Sequence, residues 1–319
     1  MAGFMDSNTQ FLIRSQLWSR QIKELLLDEL NAMKFVRIIS DFPDGYLINI
    51  PSIGEAEVAT FTEGQAIKYN SLDTGNFTFQ FDQYMYSAHA ISEKFKRDSY
   101  YSSDVIAAFV PREHRAIMEA VETRILAQAS NGQVAGNTNQ INNADHRWVG
   151  SGTSSAITFQ DFARAHYALV KANVPLTNLC AIVDPSVAYT LQTQANVVNL
   201  LSPMPMWEGV VKDGLVSGFK FRFNLYGFDI YVSNYLPQIT SETISALSVT
   251  NGVANYFFSA APGDTLPWVG AFRQMPTVYS EFNKDLQQEE YLTISEYGFK
   301  LYRPENMVTI LTNTSVVPT

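Results

Sequence analysis

The chain has 319 residues, enough for one large domain or two modest ones, and 46% of them are hydrophobic, ample for a packed core. Its 22 Lys and Arg against 31 Asp and Glu give a formal charge of -9, which argues against a protein that wraps nucleic acid tightly, though not against one that faces it across water. A single cysteine, Cys180, excludes an internal disulfide and a cysteine-rich metal site, and neither a signal peptide nor an apolar run of membrane-spanning length is present.

Residues 10–33 read as an amphipathic helix. Phe11, Trp18, Ile22, Leu25, Leu26, Leu30 and Met33 mark one side, while Arg14, Arg20, Lys23, Glu24 and Asp28 fall largely elsewhere. Such a helix packs either on its own domain or on a neighbouring subunit. From Tyr46 to about Tyr86 the pattern becomes strand-like. Tyr46, Ile48 and Ile50 alternate before Pro51, and Phe77, Phe79 and Phe81 alternate with Thr78, Gln80 and Asp82. Between these runs lie Gly54, Val58 to Phe61, Glu63-Gly64, Lys68 and Gly75, as in a long hairpin-like excursion. A two-stranded ribbon is marginal by itself, so it lies on the parent domain or is completed by another copy. Ser87 to Ser99 then turns the chain toward a long helix.

That helix, about 101–131, is the strongest periodic signal. Ser103 and Asp104 can cap a first short run ending near Val110, and Pro111 suits the opening turn of a second, longer helix. Ile117, Val121, Ile125 and Gln128 recur at helical spacing, giving a rod of roughly 30 Å for about twenty residues. Asn131-Gly132 supplies the stop, since both tolerate left-handed geometry. Residues 131–156 read as a loop pinned by Trp148, and a helix capped by Thr158 runs to about Ala172. Leu179 to Val183 is a buried strand, followed after Asp184-Pro185 by a helix at about 186–195. Residues 196–222 are turn-rich, Phe228 to Val232 is a short strand, and a polar stretch starts at Pro237. Val253 to Phe258 and Trp268 to Ala271 read as strands of a second, smaller domain. Glu290 to Lys300 and Met307 to Leu311 make a late strand pair returning to the long helix.

Reactive residues do not converge in the sequence. His89, His114, His146 and His166 are scattered, with no i, i+4 pair. Cys180 sits in an apolar run, where cysteine acts as a small hydrophobe. Glu281, Asp285 and the pair Glu289-Glu290 read as surface charge, because adjacent strand residues point to opposite faces. Gly150-Ser151-Gly152 lacks the strand and lysine of a phosphate-binding loop, and no G-x-S-x-G elbow occurs.

In order and spacing these features resemble the major capsid proteins of tailed double-stranded DNA bacteriophages, the HK97-like fold. The resemblance is carried by Glu63-Gly64, the strand Phe77–Asp82, Ile91-Ser92 with Asp98-Ser99, and the long helix. It continues through Val183-Asp184-Pro185, the run Gly227 to Pro237, Tyr297-Gly298 and Arg303-Pro304-Glu305. It implies an α+β fold with an N-terminal arm (1–45), an extended β-ribbon loop (46–86), and a peripheral domain (87–179) holding a spine helix. An inserted axial domain (180–280) and return strands with the C-terminus (281–319) complete it. It implies a virion shell of hexamers and pentamers around packaged DNA, assembled in the host cytoplasm with a portal and a separate scaffolding protein. No catalytic residue, cofactor, metal or membrane is implied. Inter-subunit contact is expected from Trp18, Ile22 and Leu26 of the arm and from Glu63, Lys68, Phe77, Phe79 and Phe81 of the ribbon. Lys68 invites comparison with the crosslinking lysine of some members, but the asparagine and carboxylate that chemistry needs cannot be placed, so a shell without covalent crosslinks is expected. The rival readings are an enzyme whose catalytic groups meet only in three dimensions and a tail-tube or adhesin-like virion protein.

Overall fold

The computed structural model describes residues 30–40, 45, 47–53, 60, 61, 63, 64, 66, 74–98, 102–191, 224–262 and 264–313, with 53, 98, 102–110 and 224 described by backbone alone. Strands and helices follow in the order β1 (Val36–Ile38), β2 (Leu47–Ile53), β3 (Thr74–Gln80), β4 (Gln83–Ser92), α1 (Glu93–Asp98), α2 (Ser102–Asn131), β5 (Arg147–Val149), α3 (Phe159–Lys171) and β6 (Leu179–Val183). Then come β7 (Asn224–Leu225), β8 (Phe228–Val232), β9 (Gln238–Ile244), β10 (Leu247–Ser259), β11 (Trp268–Asn283), β12 (Gln288–Leu301) and β13 (Val308–Asn313). A four-stranded sheet has the order β1-β11-β12-β4, and a seven-stranded sheet runs β5-β13-β10-β6-β8-β7 with β9 beside β10. The ribbon is the separate pair β2-β3, with Ile48 opposite Phe79 and Ile50 opposite Phe77.

The long helix is one piece. The expected break before Pro111 is absent, and α2 continues through the proline for 30 residues, about 45 Å rather than 30. A proline inside a helix costs roughly 3 kcal/mol, and the packing of the rest of the rod outweighs it. Ile117, Val121, Ile125, Leu126 and Ala129 are all buried, and the helix rests on β12, β11 and β4. It ends where expected but for another reason. Gly132 is not among the residues with positive φ; instead a Cβ there would stand 2.5 Å from Leu301 Cδ2, so β12 approaches a backbone that must be bare.

Several other expectations change. The ribbon's second strand is followed at once by β4, which runs to Ser92 and pairs with β12 rather than turning directly to the helix. The loop after α2 contains β5, parallel to β13, with Trp148 buried as the pin. The polar stretch from Pro237 is the β9–β10 hairpin. Val253–Phe258 and Trp268–Ala271 lie in different sheets: β10 pairs with β13, β6 and β9, whereas β11 pairs with β1 and β12. The two late strands do not pair with each other. Asn283 lies opposite Gln288, closing β11 and β12 into a local hairpin, and β13 continues beside β10. Strands Leu179–Val183 and Phe228–Val232 and the helix after Thr158 form as expected. The helix expected at about 186–195 is helical backbone over 185–191, and its remainder lies outside the described residues.

The main core joins α2 to both sheets through Trp268, Tyr256, Phe258, Tyr297, Phe299 and Leu301. A second core lies between α3 and the large sheet, where Phe257 meets Phe162 and Phe228 edge-on at centroid distances of 5.0 and 5.5 Å. Asp161 closes this layer. Its carboxylate accepts from the Thr158 N–H at 2.9 Å, the Ser151 N–H at 3.1 Å and Trp148 Nε1 at 3.3 Å, tying the helix start to the pinned loop.

Candidate assembly surfaces

The ribbon stands on its own chain. Phe79 and Phe81 are buried against Val269 and Ala271, with Ile48, Ile50, Phe77 and Tyr302 packed around them. Phe77 meets the Tyr302 ring edge-on at 5.1 Å, and Lys300 Nζ lies 5.0 Å from the Phe77 ring centre. Contact is close enough that a Cβ on Gly298 would sit 2.2 Å from the Gln80 carbonyl oxygen. The aromatic face of β3, expected to seek a neighbour, is thus covered by this chain's own sheet. Glu63 is exposed in a turn with Gly64, whose φ is +86°, and nearby Phe61 is 68% exposed. Trp18, Ile22, Leu26 and Lys68 lie outside the described residues.

The structure instead exposes a second aromatic surface. Thr293 donates to Glu113 of α2, which fixes one face of the four-stranded sheet as the helix side. The register places Tyr86 opposite Ile294 and Ala88 opposite Leu292, with Leu292 also opposite Tyr279, on the other face. Tyr84, Tyr86 and Tyr279 are 60%, 69% and 51% exposed there. The alternation of Tyr84 and Tyr86 with Met85 is visible in the sequence. It does not stand out because both faces of β4 carry apolar groups, Met85 packing into the main core.

Buried charges brace the body between these surfaces. Arg147 makes a two-pronged contact with Glu242, Nε to Oε1 at 2.8 Å and Nη2 to Oε2 at 2.7 Å, and reaches Gln133 Oε1 at the end of α2. Burial by itself would raise the Glu242 carboxyl, but the Arg147 hydrogen bonds, the Gly136 N–H and the guanidinium charge hold it below the usual range. Glu122, in the middle of α2, accepts from the Asn31 N–H at 2.9 Å and the Ala32 N–H at 2.8 Å, gripping the chain where it enters the body. Burial pushes this carboxyl up, and those backbone donors offset the rise only in part.

Several of the groups considered for catalysis are occupied structurally, while His114, Glu281 and Asp285 lie exposed. His89 Nδ1 lies 2.6 Å from Glu113, His146 is fully buried with burial lowering its pKa, and Glu289 pairs with Lys96. Cys180 is buried and its thiol is pushed up to about 12 by burial and, secondarily, by the charge of Asp229. Among the described residues no three His, Cys, Asp or Glu side chains are placed to share a metal ion.

A buried ion pair thus braces the body, the foot of the ribbon is packed on its own sheet, and Tyr84, Tyr86 and Tyr279 stay exposed on the far face. Residues 77–310, which are 234 of the 319, match the family model described as phage capsid protein. The chain belongs to the phage capsid protein family. As a solved fold this capsid protein is similar to the cyanophage P-SCSP1u capsid, with a TM-score of 0.69 at 14% identity over 98% of this chain and 97% of that one. It is similar also to the mature capsid of bacteriophage PhiM1, at 0.67 and 13% over 98% and 96%, and to Mycobacterium phage Che8, at 0.65 and 17% over 93% and 96%. No curated protein sequence matches it. The α+β, HK97-like reading of the fold therefore stands, and this is a major capsid protein, a component of the virion shell built from copies of itself.

Proposed function

We propose that copies of this capsid protein close as hexamers and pentamers into an icosahedral shell around packaged double-stranded DNA, without catalysis. The observation that carries this reading is the division of the surface. The ribbon is rooted in its own core by Phe79 and Phe81, while Phe61 and the Tyr84–Tyr86–Tyr279 face remain uncovered by it. Permanent interfaces bury about 2,000–5,000 Å², and 1,000 Å² of apolar area contributes a gross gain near 25 kcal/mol before ordering and association costs. Repeated around a closed shell, such contacts resist internal pressure that a single one would not.

Residues 87–179 with the long helix serve as the peripheral domain, 180–280 as the axial domain, 281–319 as the return strands, and 46–86 as the loop extended toward a neighbour. Trp18, Ile22 and Leu26 form the apolar side of the arm, and Glu63 and Lys68 contribute from the loop. Assembly takes place in the host cytoplasm with a separate scaffolding protein and a portal. A charge of -9 leaves the wall confining DNA rather than holding it by its phosphates. Electron microscopy of the expressed protein with its neighbouring structural gene products should show capsomers and closed particles. A compact monomer that never assembles would refute the reading, and tight duplex binding by isolated capsomers at ~150 mM salt would refute its account of DNA.

A further inference from the structure

Of the four histidines, only His146 has no exposed surface; His89 and His114 are exposed and His166 is half-buried. It stands where the loop after α2 returns to the large sheet, one residue before β5. Its N–H donates to the Thr138 carbonyl at 2.9 Å. Its own carbonyl accepts from the Thr309 N–H of β13 at 2.9 Å and from Gln133 Nε2 at 3.4 Å. Gln133 Nε2 also reaches the Met307 carbonyl at 3.3 Å. The end of α2, the loop and the β5–β13 edge are thus knotted together at this residue.

The neutral ring suits this place in one tautomer. Nδ1 lies 3.0 Å from the Ala144 carbonyl oxygen, which can only accept, so Nδ1 carries the hydrogen. Nε2 then holds the lone pair, and among the described residues it has no hydrogen-bond partner. That is the atom a proton would take. The carboxylates acting on the ring are those of Asp145 and Glu305, and each is already matched by an arginine: Asp145 by Arg164, and Glu305 by Arg303 Nη1 at 3.2 Å. Next along the chain, the buried Arg147 is matched by Glu242 at 2.7 Å. An imidazolium placed among these pairs finds no carboxylate of its own and no water. Burial accordingly lowers the pKa of His146, and the carbonyls of Ala144 and Glu305 with the charges of Asp145 and Glu305 offset that fall only in part.

We propose that His146 is an acid-operated latch: a proton on Nε2 expels the ring, frees residues 133–149 from β13 and opens the large sheet at its β5 edge. Little pairing has to be given up there, because β5 is three residues long and lies at the end of the sheet beside β13. Trp148 and Val149, both buried, keep the edge shut while the ring is neutral. Arg147 is on the same strand, so its pairing with Glu242 is lost in the same event. The sign follows from which state takes the proton. The open form binds it at the ordinary value of about 6.5 and the closed form only below that, so closure is favoured above about 6.5 and weakens as pH falls toward the folded value. Across that window the opening equilibrium grows by up to about tenfold per pH unit. Every contact named lies within one chain, so the latch does not depend on how copies assemble.

Amide hydrogen exchange read by mass spectrometry on soluble full-length subunits at pH 7.5 and 5.5, corrected for the intrinsic pH dependence of exchange, tests the latch. In the intact chain, opening at residues 138–149 and 308–311 should rise about three- to tenfold at the lower pH, while residues 117–129 of α2 change less than about twofold. In His146→Asn, whose short amide can still donate to the Ala144 carbonyl but takes no proton, both regions should change less than about twofold. An equal rise in both chains, or a rise spread evenly over α2, overturns the proposal. A second measurement needs no variant: exchange of the histidine C2 hydrogens against pH, on the same subunits, gives a titration midpoint for each ring. The His146 midpoint should fall below about 6.5, and one at or above that value overturns the latch.

Discussion

Replacing Glu242 by alanine removes the carboxylate from a guanidinium that is itself almost wholly enclosed: the side chains of Arg147 and Glu242 are 1% and 6% exposed. The Glu242→Ala variant strands a buried cation and deprives the Gly136 N–H of its acceptor at 2.8 Å. Breaking a buried pair from one side costs about 3–5 kcal/mol. With an unfolding entropy of about 2.1 cal/mol/K per residue, a chain of this length that melts as one unit should lose about 4–8 °C in Tm. Replacing both partners, Arg147→Met with Glu242→Leu, should recover most of that loss, because no charge is left in the interior. The pH dependence has a definite sign. The Glu242 carboxyl is held below its ordinary 4.5, so its stabilisation is present above that value and is lost as pH falls through the folded one. The gap between the intact chain and Glu242→Gln should therefore close in acid. Calorimetry on soluble subunits checks all three. A loss under about 1 kcal/mol in Glu242→Ala, or a double variant as unstable as the single, would refute the bracing role.

Gly298→Ala should push the ribbon foot off β12 at a cost of about 1–3 kcal/mol, since the new Cβ would stand 2.2 Å from the Gln80 carbonyl oxygen; unchanged amide exchange across β3 would count against it. Glu122 has the opposite pH sign. Its raised pKa gives a contribution fully present below about 4.5 and lost as pH rises through the folded value, so Glu122→Gln should gain on the intact chain as pH rises through that window. Equal pH slopes for the two chains in urea unfolding would contradict this. Cys180 should resist an aromatic disulfide reagent at pH 8 in the native chain and react once per chain after denaturation; rapid native reaction would place it at the surface.

Much of the fold was legible because its signals are local. The α2 periodicity, the β3 alternation, the Thr158 cap and the apolar run at Leu179–Val183 each depend on neighbours within a few positions. The β9–β10 hairpin escaped because its turn is Ser245-Ala246, at φ +49° and +70°, where Asn-Gly would be the recognisable signal. The destination of β13 was hidden for another reason. Pairing Val308–Asn313 with β10 and Arg147–Val149 is long-range, and a five- or six-residue apolar run does not name its partner. The assembly surface was half legible: Glu63-Gly64 announced a turn, but alternation alone could not tell which chain Phe79 packs against. The exposed tyrosines emerged only once the register assigned the two faces of β4.

Pro111 sits inside α2 without interrupting it, and proline has no N–H to offer the carbonyl four residues back, at Ala107. The helix that spans the body therefore lacks one rung near its first third, and a helix yields most readily at such a place. A closed particle asks one sequence to occupy sites of unequal curvature. A rod that had to adapt to such sites would bend first at its missing rung, with Ile117, Val121, Ile125 and Leu126 buried on the C-terminal side of it.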